Sequence, residues 1–256
     1  MLCIIKNEDC LATMAKLPAG CVDLTVTSPP YDDLRTYKGY TFDFESVAKG
    51  LYRVTKPGGV VVWVVGDATI KGSETGTSFR QALLFKEIGF NIHDTMIYQK
   101  KNPLPVKSKH RYLSSFEYMF VFTKGTPSHG EIIQVPTKTP GKSYRVKRDN
   151  PTTNGGGGIS TKDKMYVCAE TRNKENIWVI ATESSKNYVG HPAIFPESLA
   201  NDHIVSWSNE GDLVYDPFLG SGTTGKMALL NKRRFIGSEI SAEYCAMARK
   251  RIADAS

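Results

Sequence analysis

The stretch that most restricts what this chain can fold into is Asp216-Pro217-Phe218-Leu219-Gly220-Ser221-Gly222-Thr223-Thr224-Gly225. It follows the strand-like Leu213-Val214-Tyr215 and precedes a helical run from Lys226 to Asn231. A glycine-rich turn between strand and helix leaves bare backbone N–H groups at a helix start. A second strand, Phe235-Ile236-Gly237-Ser238, follows and ends in Glu239. An acid at that strand end is where a ribose diol is commonly gripped in a doubly wound sheet. A Gly-x-Gly alone marks only a tight turn, but strand, turn, helix, strand and acid together are far more specific.

A second constellation lies near the other end of the chain. The apolar run Val22-Asp23-Leu24-Thr25-Val26 reads as a buried strand and leads into Thr27-Ser28-Pro29-Pro30-Tyr31. Two successive prolines donate no backbone hydrogen bond and fix φ near −65°, so the chain becomes a stiff shelf with outward carbonyls. Such a shelf suits an amine: the Ser28 hydroxyl and the Pro29 carbonyl can each accept one N–H, and Tyr31 offers a flat face for a base. The plainer reading is a proline turn with a tyrosine packed on it.

Taken together, the two motifs resemble the S-adenosylmethionine-dependent amino-methyltransferases of DNA, in the permuted order where the catalytic motif precedes the cofactor motif. The resemblance extends to Val54-Thr55-Lys56-Pro57-Gly58-Gly59, Phe116-Glu117-Tyr118 and His191-Pro192-Ala193-Ile194-Phe195-Pro196, and so covers nearly the whole chain. It implies an α/β fold with a doubly wound, mostly parallel, seven-stranded Rossmann-like sheet and an inserted target-recognition region. The expected division is 1–124 for the catalytic part, 125–187 for the insert and 188–256 for the cofactor-binding part. It further implies S-adenosylmethionine held by Asp216, Phe218, Gly220, Ser221, Gly222, Thr223, Thr224 and Glu239. Asp9, just past the first strand, corresponds to an acid near the adenine amine, although a first-turn acid is also favoured by the helix dipole. Pro192 and Phe195 fall in the stretch that lines the methionine end.

Charge decides the macromolecular partner. The net charge is +7, yet residues 99–112 carry five Lys/Arg and no acid, and residues 137–174 carry nine Lys/Arg against three acids. Basic charge gathered into two segments, with an acidic remainder, suits a polyphosphate, and double-stranded DNA is the expected partner. The candidate DNA contacts are Lys100, Lys101, Lys107, Lys109, Arg111, Lys142, Arg145, Lys147 and Arg148. A homodimer and a cognate restriction endonuclease are carried as candidate partners. No apolar run approaches the roughly 20 residues of a membrane span, and no signal segment opens the chain, so a cytoplasmic protein is expected. Cys3, Cys10, Cys21, Cys168 and Cys245 show no Cys-x-x-Cys spacing, which argues against zinc or a disulfide framework.

Between the motifs the pattern reads as α/β. A strand is expected at 2–6, then a helix over Glu8–Leu17 with Asn7 as its cap. Asp32 to Tyr40 reads as a mobile polar and aromatic loop. A helix from Asp43 to Val54 follows, and the β-branched run Val60 to Val65 predicts a strand buried on both faces. Ser78 with Gln81 has the spacing of a capping box for a helix ending at Gly89. Phe90–Gln99 and Phe116–Thr123 read as an edge hairpin. Residues 125–187 break the rhythm with Gly155 to Gly158, the basic cluster Lys142 to Arg148 and the short strand Asn176 to Ile180. Helices from Pro196 and Ser241 complete the last third.

The chemistry follows from the shelf. An exocyclic amine is a poor nucleophile, so acceptors that hold its N–H bonds and aim its lone pair do most of the work. Ser28 orients the amine, the Pro29 carbonyl is the second acceptor, Pro30 stiffens the shelf, and Tyr31 stacks on a base flipped from the duplex. Methylation at cytosine carbon 5 is set aside, because no cysteine follows a proline. The shelf itself holds cytosine N4 or adenine N6 equally well. The resemblance leans to cytosine N4, since Ser28 stands where adenine enzymes usually carry aspartate. Adenine N6 is the close alternative, with an RNA substrate or a non-catalytic DNA-binding regulator behind it.

Overall fold

The computed structural model describes residues 2–30, 43–103, 105, 109–146, 164–182 and 196–255. Tyr31, the loop 32–40, Lys107, Lys147, Arg148, His191, Pro192 and Phe195 lie outside the described residues.

Among the described residues the chain runs β1 (Cys3–Lys6), α1 (Cys10–Lys16), β2 (Val22–Thr27), α2 (Phe44–Val54), β3 (Thr55–Val65), the small hairpin β4 (Thr69–Ile70) and β5 (Ser73–Glu74), then α3 (Thr77–Ile88), β6 (Asn91–Lys100) and β7 (Phe116–Thr123). There follow β8 (Gln134–Pro136), β9 (Ser143–Val146), β10 (Lys164–Val167), β11 (Thr171–Asn173), β12 (Ile177–Ile180), α4 (Glu197–Trp207), β13 (Leu213–Asp216), α5 (Thr223–Leu230), β14 (Arg234–Ser238) and α6 (Ala242–Ala253).

Eight of the described strands form one sheet in the order β1-β14-β13-β2-β3-β7-β6-β12, parallel throughout except for β7. The expected count was seven. The extra strand is β12, which pairs in parallel with β6 from Ile177 against Ile97 to Ile180 against Lys100. Its sequence falls within the expected insert, and its presence means that β6 and β7 pair as expected but do not form the edge. A short Ile-Trp-Val-Ile run reads as a strand, but nothing local says which strand it joins.

The alternation of β3 builds two cores. Val61, Trp63 and Val65 pack with Met14, Val47, Leu51 and Phe85 beneath α1, α2 and α3. Val60, Val62 and Val64 are equally buried on the opposite face. There α4 packs on β2, and α5 on β13 and β14. Against β2, the register jumps from Val22↔Thr55 to Leu24↔Val60, so the expected turn Lys56 to Gly59 is a bulge within a longer strand.

Two helix caps differ from their sequence readings. Asp9, not Asn7, caps α1, its carboxylate accepting from the Leu11 N–H at 2.7 Å. Asn7 instead donates to the carbonyls of Glu239 and Ile240, each at 3.0 Å, tying β1 to the end of β14. The capping box on α3 is absent: Gly76 is the cap, and Gln81 accepts from the Trp63 indole at 2.8 Å. The α3 start is held instead by Asp67, which accepts from the Ser78 N–H at 2.9 Å and the Ser78 hydroxyl at 2.5 Å.

Ile132–Glu175 forms a second compact unit, narrower than the expected 125–187. Its described residues form a two-stranded antiparallel ribbon. Its base pairs β8 with β11, from Gln134↔Asn173 to Pro136↔Thr171, and its outer part pairs β9 with β10, from Ser143↔Val167 to Val146↔Lys164. Backbone bonds from Thr137 N–H to Glu170 O and from Cys168 N–H to Lys142 O, at 2.8 and 3.0 Å, join the two parts across an excursion at Thr139 to Gly141.

Candidate functional site

The strand order reverses at β13, which has β14 on one side and β2 on the other, and the crevice of such a sheet lies at the carboxyl ends of these strands. Both sequence motifs stand there. The Thr27 hydroxyl donates to Asp216 Oδ1 at 2.6 Å, joining residues 189 apart in sequence, so the proline shelf and the glycine turn begin at one point. The same oxygen accepts from the Phe218 N–H at 3.0 Å. The Thr224 hydroxyl donates to the Val26 carbonyl at 3.1 Å and repeats the link one turn later. Asp216 is fully buried, and burial pushes its carboxyl up to about 6 against the bonds that favour the anion. It therefore acts as a clasp behind the crevice rather than as an exposed ligand group.

On the shelf, Pro29 is buried while Ser28 and Pro30 are half-buried. Phe218, half-buried, meets Trp63 edge-on at 6.1 Å and so joins the turn to the aromatic core.

The glycine turn is shaped by its neighbours. Gly220 and Gly222 have φ of 52° and 88°, the left-handed region that glycine tolerates best. At Gly222 a Cβ would also meet the backbone of Ala248 in α6 at 3.0 Å. Glu239 accepts from the Gly220 N–H at 2.9 Å and from the Ser241 N–H at 2.8 Å. Burial raises its carboxyl while these bonds lower it, with burial the larger effect. A carboxylate offers about four lone-pair sites, so the half-buried Glu239 keeps capacity for a diol. Ile240, 40% exposed, sets an apolar side chain beside it. These features fit a ribose-bearing ligand lying along the turn.

Two of the expected ligand side chains face the other way. Ser221 and Thr223 both accept from Arg251 Nη1 at 2.9 Å, and Arg251 Nη2 donates to Glu197 at 2.6 Å, where Lys226 also binds at 2.8 Å. What Ser221 and Thr223 offer a ligand is backbone. Asp9 is exposed beyond β1, its carboxylate engaged in capping α1. Sequence reasoning misses Arg251 and Asp67 and reads Asn7 only as a cap. Arg251 reads as an ordinary last-turn cation, and Asn7 and Arg251 act on groups distant in sequence.

The basic residues divide similarly. Lys101 and Lys109, and within the ribbon Lys142 and Arg145, are exposed. Lys100 pairs with Glu117 at 2.7 Å. Arg111 donates to the Gly72 carbonyl and lies 3.6 Å from Glu74, holding the β4–β5 hairpin. Among the described residues no cluster of metal-ligating side chains occurs, and no helix is long and apolar enough to cross a membrane.

A family model described as DNA methylase matches residues 22–250. The chain is 55% identical over 238 residues to the orphan methyltransferase M.BamHII of Bacillus amyloliquefaciens, covering 90% of this chain and 88% of that one. It is 28% identical over 258 residues to the DNA adenine methyltransferase YhdJ of Escherichia coli K12, covering 98% and 83% of the two chains. Among solved structures, PvuII DNA methyltransferase, described as cytosine-N4-specific, has a TM-score of 0.72 at 23% identity, covering 98% of this chain and 90% of that one. That last likeness is one of fold.

Proposed function

The chain belongs to the DNA methylase family, and on that premise we propose that it transfers a methyl group from S-adenosylmethionine to N4 of a cytosine flipped out of duplex DNA. It is an S-adenosylmethionine-dependent DNA amino-methyltransferase. The observation that carries the methyl-transfer reading is the Thr27–Asp216 clasp, which brings the proline shelf and the glycine turn to one point.

S-adenosylmethionine supplies an electrophilic methyl carbon on a sulfonium sulfur. Glu239 would accept from its ribose hydroxyls, the Gly220 to Gly222 backbone would admit it closely, and Phe218 would wall the crevice. Asp9 faces the adenine amine, and Pro192 and Phe195 line the methionine end, as the family resemblance implies. Ser28 and the Pro29 carbonyl accept the two N–H bonds of the target amine and aim its lone pair at the methyl carbon. Transfer of the methyl from sulfur to this nitrogen would leave an extra proton on the amine, which water or Ser28 would take up. Tyr31 stacks on the flipped base, whose extraction costs about a few kcal/mol. Lys101, Lys107, Lys109, Lys142, Arg145, Lys147 and Arg148 meet the duplex; Lys100 and Arg111 contribute mainly through their intramolecular pairs.

Cytosine N4 is supported by Ser28 in the position where adenine enzymes usually carry aspartate, and by the fold likeness to a cytosine-N4-specific enzyme. Adenine N6 is the second reading, favoured by the 28% identity to a DNA adenine methyltransferase. The orphan designation of the 55% identical relative supports a solitary enzyme over one with a cognate endonuclease. Mass spectrometry of nucleosides from DNA treated with the protein and cofactor decides: N4-methylcytosine is expected, and it should fall sharply in Ser28→Ala. Methyladenine alone overturns the choice of base, and no methylated product on any DNA or RNA overturns the catalytic reading in favour of a binder.

A further inference from the structure

The ribbon lies within the compact unit Ile132–Glu175. Among its described residues none is a buried apolar one, and Tyr144, Met165 and Val167 are 49%, 60% and 65% exposed. A two-stranded hairpin is marginal in water by itself, so side chains this apolar on its outer part fit a surface that a partner covers. Charge selects that partner: Ile132 to Glu175 carries nine Lys/Arg against four Asp/Glu, and one of those acids, Glu175, pairs with Arg172 at 2.6 Å. A basic ribbon suits an anion, and duplex DNA is the anion that this family modifies.

The register separates two faces. Tyr144 lies opposite Tyr166, their rings stacked at 6.0 Å with 21° between planes, so these two share one face and stiffen the ribbon. Arg145 lies opposite Met165, and Ser143 opposite Val167, and these four share the other face. A two-stranded ribbon fits the major groove, where arginine pairs in two-pronged fashion with guanine O6 and N7 and apolar side chains meet the thymine methyl. A face that presents one arginine flanked by Met165 and Val167 carries both kinds of group, whereas a surface bound only to phosphates needs no apolar members.

We propose that the outer part of the ribbon enters the major groove with the Arg145–Met165–Val167 face toward the bases, Arg145 reading a guanine and Met165 with Val167 reading a neighbouring thymine. The proposal rests on the DNA methyltransferase reading and assigns sequence choice within it.

The test is to methylate a randomised duplex library with the wild-type protein, Arg145→Ala, Met165→Ala and Lys142→Ala, and to sequence the modified sites. Arg145→Ala should lose its preference for guanine at one position, by roughly tenfold or more, with cofactor affinity unchanged. Lys142→Ala should keep the wild-type motif at a lower rate. Replacing the neighbouring thymine by uracil removes its methyl group and should slow the wild-type protein but not Met165→Ala. An Arg145→Ala protein with the wild-type motif, at any rate, overturns the proposal, as does a wild-type protein indifferent to uracil. A wild-type protein that methylates nothing instead removes the methyltransferase reading, and this one with it.

Discussion

At the scale of the residue, Asp216 carries a pH signature. Its folded carboxyl is raised from an ordinary 3.8 to about 6 by burial. Between these values the folded state takes up a proton that the unfolded state does not, so this group's contribution to stability rises as pH falls from about 6 to 4. Above 6 the buried anion costs about 3 kcal/mol relative to an unshifted group. The bonds from Thr27 and Phe218 fall on Oδ1, an oxygen that asparagine retains, and the nearby Thr224 hydroxyl, which donates to the Val26 carbonyl, can accept from the new amide. Asp216→Asn is therefore expected to be more stable than wild type at pH 7, with the gap closing toward pH 4 in urea titrations. A gap independent of pH would sink the assignment. Glu239 makes a second case. Glu239→Gln keeps one acceptor oxygen for the turn but presents an amide to the diol, and calorimetry should register a cofactor affinity weaker by about 2 kcal/mol. Loss of stability with affinity unchanged marks a purely structural carboxylate.

At the scale of the element, the helix starts were the least legible features. The pattern Ser78-x-x-Gln81 has the spacing of a capping box, yet the Trp63 indole takes the Gln81 side chain and Asp67 takes the helix start. Local spacing cannot show that competition, because Trp63 reaches Gln81 only once β3 and α3 are packed. Asp67→Ala should cost about 1–2 kcal/mol in chemical denaturation and leave cofactor binding nearly intact. The glycine turn behaves oppositely, since its local sequence already demanded left-handed backbone. Gly222→Ala adds a Cβ at φ 88° and 3.0 Å from the Ala248 Cα, in a segment where neither α5 nor α6 can retreat without opening the core. A lower melting temperature and lost cofactor binding together are expected; a variant that melts like wild type would show the α5–α6 contact to be slack.

At the scale of the whole molecule, the parallel sheet and the ribbon answer to different forces. The sheet is held by two buried faces and should be insensitive to salt, whereas DNA affinity, if the basic segments carry it as proposed, should fall steeply as salt rises. Replacing Arg145, Lys147 and Arg148 together by alanine should weaken DNA binding, flatten its salt dependence and spare cofactor affinity. Equal loss of both affinities would mean that the segment supports the fold. The extra strand β12 belongs to this scale too. It follows the ribbon directly in sequence but pairs with β6, eighty residues earlier, through a parallel ladder that no local signal could announce.

The amino-acid sequence by itself determined the class of sheet, because β-branched runs, glycine turns and strand-end acids are local demands that few other arrangements meet. It also pointed to the two motifs that meet at the crevice, since a doubly wound sheet brings the ends of its central strands together whatever their order in the chain. Only the tertiary structure decided how those residues divide their work. Asp216 became a clasp once Thr27 stood 2.6 Å away, Ser221 and Thr223 turned toward Arg251, and Lys100 met Glu117 across the β6–β7 pair. Each is a side chain choosing between a ligand and a protein partner, and that choice depends on distances across the fold, which spacing along the chain does not encode.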